Sequence, residues 1–237
     1  MNLRVNPNEV NLKTENFVII WYYNYAGGKT LLNCLALNDN ALFPNKNFAE
    51  LQMQGKFSVE DKMQYLRTEL SKLKKGDFWN DLNLSCDDFF GLKKKEYVNP
   101  FRGIRFNRVV KEASESNYKF YMATHFRPEL DAVLKIWENP KVIVFDNVEE
   151  FIRKRCEFNP KIRKFYDMLP NFRKDFSEIS QYKQVLCSFD TRAYESESTA
   201  LEEIEKMYNK LNLSNFNKSH ISEYYNRWID KVNELSS

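Results

Sequence analysis

Apolar and polar positions fall into two rhythms along this chain. Residues 17–22 form an unbroken apolar, β-branched and aromatic run, the pattern of a strand covered on both faces. From 29 to 37 the spacing becomes helical, so the pair Gly27–Gly28 falls at a strand-to-helix turn. Residues 38–57 carry no clear period and are expected to run over the surface. Ser58 and Asp61 read as a helix start, with Met63, Leu66, Leu70 and Leu73 as its apolar stripe and Gly76 as its stop. Beyond it, 79–100 has no assignable rhythm, and a helix is expected around 106–114.

The second half alternates more regularly. Residues 119–124 read as a strand that delivers His125 at its carboxyl end. Pro128 suits the first turn of a helix running to about Trp137, and Asn139–Pro140 breaks it. A strand over 141–145, a helix over 147–155 and a strand over 184–189 follow, then helices over 198–211 and 217–235. Strands alternating with helices predict a three-layer α/β fold: a parallel sheet, helices on both faces, a P-loop-type strand–loop–helix and a helical C-terminus. A single domain over 1–237 is expected, with 40–118 as a helical insertion. Ligands of such sheets bind beyond the carboxyl ends of the strands. The turn at 27–30, His125 and Asp146 all fall on that edge.

Composition narrows the classes. At 43% hydrophobic and 15% aromatic, 237 residues can bury a sizeable core, which argues against disorder. A net charge of +3 is too small for a dedicated nucleic-acid binder. The charge is unevenly placed, with basic clusters at 93–111 and 153–164 and an acidic one at 195–205. These read either as solvated faces or as a basic floor for an anionic ligand. Four cysteines, Cys34, Cys86, Cys156 and Cys187, lack zinc or disulfide spacing and are expected to be mostly buried thiols. No apolar run is long enough to span a bilayer and no signal segment is evident, so a cytoplasmic protein is expected.

The candidate chemistry begins at the glycine pair. Gly27 and Gly28 permit close approach of the main chain to a phosphate or sulfate, Lys29 can neutralise it, and Thr30 can bond to it or to Mg²⁺. A nucleotide-triphosphate loop would carry another glycine where Tyr23 stands. The run 141–146, KVIVFD, offers a Mg²⁺-binding carboxylate in Asp146, although an aspartate there equally caps the next helix. Tyr22, Tyr23 and Tyr25 could stack on an adenine but are read first as packing residues, and His220 is read as a surface residue.

The stretch THFRPELDAVLKIWENPKVIVFDN, with NYAGGKTL before it, resembles sulfotransferases that use 3′-phosphoadenosine 5′-phosphosulfate. The C-terminal stretch from Met207 resembles the terminal helices of bacterial and phage members. The resemblance implies that His125 deprotonates the acceptor and that Lys29 stabilises the transferring group. It implies a donor site of Ala26, Gly27, Gly28, Lys29, Thr30 and Leu31, with Lys154 at the 3′-phosphate. It further implies a hydroxyl or amine acceptor on a small molecule or glycan, and no metal, nucleic acid or membrane partner. Three positions depart from the family pattern: Tyr25 stands at its loop lysine, Ala123 at the lysine before Thr-His, and Asp146 at its 3′-phosphate arginine. Two further readings stay open: Mg²⁺-dependent phosphoryl transfer through Lys29, Thr30 and Asp146, and a non-catalytic binding protein.

Overall fold

Every residue of β1 (Phe17–Trp21) is buried, as its unbroken apolar run requires of a strand with neighbours on both edges and layers on both faces. The computed structural model describes residues 14–23, 26–43, 46–73, 118–125, 127–136, 139–158 and 163–236. Among these, β2 (Phe120–Thr124), β3 (Lys141–Asp146) and β4 (Val185–Asp190) join β1 in one all-parallel sheet. The order is β2-β1-β3-β4. The chain moves outward from β1 to β2, then crosses back to β3, so the switch point lies between β1 and β3.

The crossovers are helical. Between β1 and β2 come α1 (Gly28–Ala36), α2 (Lys46–Met53) and α3 (Val59–Lys72). Helix α4 (Arg127–Ile136) links β2 to β3; α5 (Val148–Phe158), α6 (Arg163–Tyr166) and α7 (Leu169–Ile179) precede β4. A 3-10 turn (Thr191–Glu195), α8 (Glu197–Lys210) and α9 (Lys218–Ser236) complete the described chain. Helix α1 packs on β2, α8 and α9, and α9 reaches α3. On the other face Trp21 stacks on Phe172 of α7, with ring centroids 4.6 Å apart. Arg127 of α4 pairs with Asp175 and Glu178 of the same α7.

Local sequence explains most boundaries. Ser58 accepts from the Asp61 N–H at 3.2 Å while Asp61 accepts from the Ser58 N–H at 2.8 Å, a reciprocal cap at the start of α3. One turn in, Lys62 is wholly buried and donates to the carbonyls of Ala36, Asn38 and Ala41 at 2.9, 2.7 and 2.8 Å. It closes the carboxyl end of α1, where main-chain carbonyls lack helical partners.

Two elements depart from the sequence reading. Helix α2 forms inside the stretch that lacked a period, where Phe48 stacks on Phe57 at 4.6 Å and meets Tyr65 edge-on. Helix α7 forms in a segment given no element, although Leu169, Phe172 and Ile179 are buried at helical spacing. Cys34 is buried, and Cys156 and Cys187 are half-buried. The expected helix at 106–114, the irregular 79–100 segment, the stop at Gly76, Cys86, Tyr25 and the basic cluster at 93–111 lie outside the described residues. Among the described residues, no helix is long and apolar enough to cross a membrane.

Candidate functional site at the carboxyl edge of the sheet

The strand register decides which residues meet at this edge. Trp21 is level with Thr124 on β2 and with Val144 on β3, and Phe145 is level with Phe189 on β4. One residue further on, His125, Tyr22, Phe145 and Phe189 therefore form a row across the sheet. Ring centroids run 5.9 Å from His125 to Tyr22, 6.0 Å from Tyr22 to Phe145 and 5.0 Å from Phe145 to Phe189. The Tyr22 N–H donates to the Thr124 carbonyl at 3.0 Å and carries the β1–β2 ladder to this level.

Tyr22 also explains the glycine pair. A side chain at Gly28, the first residue of α1, would put its Cβ 2.2 Å from the Tyr22 ring. Gly27 is left-handed at φ 83°, and a Cβ there would meet the Tyr194 ring at 2.7 Å. The Gly27 carbonyl accepts from the N–H groups of Thr30 and Leu31 and from the Tyr194 hydroxyl at 3.0 Å. The turn is thus clamped from the C-terminal side of the chain. No side-chain oxygen caps α1, so its start keeps the partial positive charge of a helix N-terminus.

Of residues 26–31, Lys29 alone is not buried. The Ala26 N–H turns back to the Tyr23 carbonyl at 3.0 Å, and Leu31 lies in the core. Thr30 is 3% exposed and shares a hydrogen bond with Tyr224 of α9, which also accepts from Asn33 at 2.8 Å. The Thr30 hydroxyl therefore serves the α1–α9 contact. His125 is half-buried, at the outer end of the row.

Alternation along the strands places the next residues on the opposite face. There Tyr23 meets Phe172 edge-on at 4.8 Å; burial, then Cys156 and Asp167, push its phenol up to about 12. A cleft of about 540 Å³ opens on this side between the end of β3, the first turns of α5 and one face of α7. Leu169, Phe172 and Phe176 supply its apolar lining, and Phe145, whose ring packs on Tyr22 and Phe189, borders it. Around the rim stand Arg153, Arg173 and Arg192 with Asp146, Glu149 and Glu150. Asp146 accepts from the Asn147 N–H at 2.7 Å, and Asn147 is left-handed at φ 54°. The buried Thr191 hydroxyl reaches the Asp146 and Asn147 carbonyls at 3.1 and 2.8 Å and fixes this turn. Asp190 is partly buried, which works against its charge, but its bonds to Arg192 and Asn147 hold it below the usual carboxylate range.

Lys154 does not enter the cleft. It is exposed on α5 and paired with Glu195 at 2.8 Å and Glu150 at 3.4 Å. Tyr22 and Tyr23 pack, as expected of them. His220 is less exposed than its sequence context suggested, with Nε2 3.3 Å from Glu60 and Nδ1 buried. No family model, curated protein or solved structure matches this chain.

Sequence reasoning passed over Tyr194, Phe172, Phe176, Arg173 and Arg192. The α7 residues carried a signal in their helical spacing. Tyr194 and Arg192 carried none, because they reach the site only through the 3-10 turn that follows β4.

Proposed function

We propose that this protein binds a phosphorylated or sulfated ligand at the start of α1 and transfers a sulfuryl group from 3′-phosphoadenosine 5′-phosphosulfate to a hydroxyl or amine. The observation that carries the reading is a shared face. His125 lies against the Tyr22 ring, and that same ring lies against Gly28, so an imidazole and a helix start flank one side chain at the switch-point edge. In the proposed step His125 takes the acceptor proton as the new S–O or S–N bond forms and the bond to the bridging phosphate oxygen breaks. Lys29 and the first-turn amides of α1 offset the charge left on that oxygen. The donor identity rests on the sequence resemblance of the segments around Gly27 and His125.

Phosphoryl transfer with Mg²⁺ would need Thr30 and Asp146 to face one ion. Thr30 instead bonds Tyr224 within the core, and Asp146 opens onto the opposite face. Thermal-shift titration separates the readings. Stabilisation by 3′-phosphoadenosine 5′-phosphate, lost in Lys29→Ala, is the expected result. A shift confined to ATP with Mg²⁺ transfers the assignment to phosphoryl transfer, and no shift with any nucleotide removes the donor site. His125→Ala is expected to abolish turnover with bisphosphate binding retained.

A further inference from the structure

A tyrosine from the C-terminal part of the chain holds the start of α1. The Tyr194 hydroxyl, on a residue only 3% exposed, donates to the Gly27 carbonyl at 3.0 Å. That carbonyl also accepts from the Thr30 and Leu31 N–H groups at 3.0 and 3.2 Å, so the first turn of α1 hangs on it. Tyr194 is itself fixed. Its ring centroid lies 5.1 Å from that of Phe189, 5.2 Å from Trp228 and 5.6 Å from Phe151. Its carbonyl accepts from the Tyr225 hydroxyl at 2.9 Å. Earlier in the same 3-10 turn, Thr191 bonds the Asp146 and Asn147 carbonyls. One short segment after β4 therefore braces the turns that follow both β1 and β3.

The bond to Gly27 also fixes the other side of that peptide. In a planar trans peptide the C=O and N–H point in opposite directions. With its carbonyl turned into the fold toward Tyr194, the Gly27–Gly28 peptide turns the Gly28 N–H outward from the helix start. Gly28 opens α1, so this N–H has no helical acceptor. Helix ends fray, and a glycine in the left-handed region at 27 has the most backbone freedom to lose. A buried hydroxyl on its carbonyl removes that freedom before any ligand arrives.

We propose that Tyr194 is a positioning residue for the anion at this turn, its hydroxyl setting the Gly27–Gly28 peptide so that the Gly28 N–H is preorganised toward the ligand. This role rests on the anion-binding reading of the α1 start.

Tyr208 supplies a matched control. Its buried hydroxyl donates to the Cys34 carbonyl, also at 3.0 Å, near the other end of the same helix. Tyr194→Phe and Tyr208→Phe each remove one hydroxyl and keep the ring. Calorimetry with 3′-phosphoadenosine 5′-phosphate is expected to show about fivefold weaker binding in Tyr194→Phe, the worth of one hydrogen bond, and less than about twofold change in Tyr208→Phe. Unfolding midpoints are expected to fall alike in the two, so a merely structural role would weaken binding alike. Wild-type affinity in Tyr194→Phe, or equal losses in both variants, overturns the proposal. Amide hydrogen exchange reads the turn without a ligand. Thr30 and Leu31 are expected to exchange about fivefold faster in Tyr194→Phe and less than about twofold faster in Tyr208→Phe. If the wild type binds no bisphosphate, the donor reading fails and exchange decides the role of Tyr194. Faster exchange confined to Tyr194→Phe then supports its hold on the peptide, and unchanged protection overturns it.

Discussion

Gly28 and Tyr22 act as one unit. The ring occupies the volume that a side chain at 28 would need, so Gly28→Ala forces either the ring or the helix start to move. The expected cost is about 2 kcal/mol, typical of overpacking, read by urea unfolding. Adding Tyr22→Ala is expected to recover part of that loss, and strict additivity of the two costs would show that they do not share the space. Lys62 makes the other residue-scale prediction. Burial pulls its ammonium down from an ordinary 10.5 to about 7, while Asp39 favours the charged form. The unfolded chain then binds more protons than the folded one above pH 7, so stability rises from pH 7 to about 9 on this account. Lys62→Met takes a donor from three carbonyls, of which those of Asn38 and Ala41 keep another, and is expected to cost about 2 kcal/mol, more at pH 9 than at pH 7. A pH dependence unchanged in the variant would assign that slope to other groups.

The elements show how far pattern alone can go. The α3 start was legible because capping is local chemistry: Ser58 and Asp61 lie within one turn of each other. Ser58→Ala is expected to lower stability by about 1 kcal/mol, measured by thermal unfolding with α3 helicity followed by circular dichroism. Strands β1 and β3 were legible for a similar reason, since burial on both faces leaves no polar position in the run. Helix α2 was not. It is short, and its ring cluster joins Phe43, Phe48, Phe57 and Tyr65 across the turn into α3, a contact that no period within the helix records. Helix α7 had the period, but its stripe faces Trp21 and Tyr23, far back in the chain.

At the scale of the molecule, the candidate edge exists because strands remote in sequence run parallel at a fixed register. The sequence by itself determined the α/β alternation, the strand-to-helix turn at Gly27–Gly28, and the delivery of His125 and Asp146 at strand ends, since each depends on residues a few positions apart. Only the tertiary structure decided the order β2-β1-β3-β4 and, with it, which side of the sheet each strand end serves. That order sets His125 beside Tyr22 and the start of α1, while alternation turns Asp146 to the other face, into a cleft closed by α7 and Arg192. The roles of the glycines changed for the same reason. In sequence they permit an anion to approach; in the fold they also make room for Tyr22 and Tyr194, the latter supplied from far along the chain. Propensity and capping are local and can be read along the chain. Register and facing arise only when distant segments share one space.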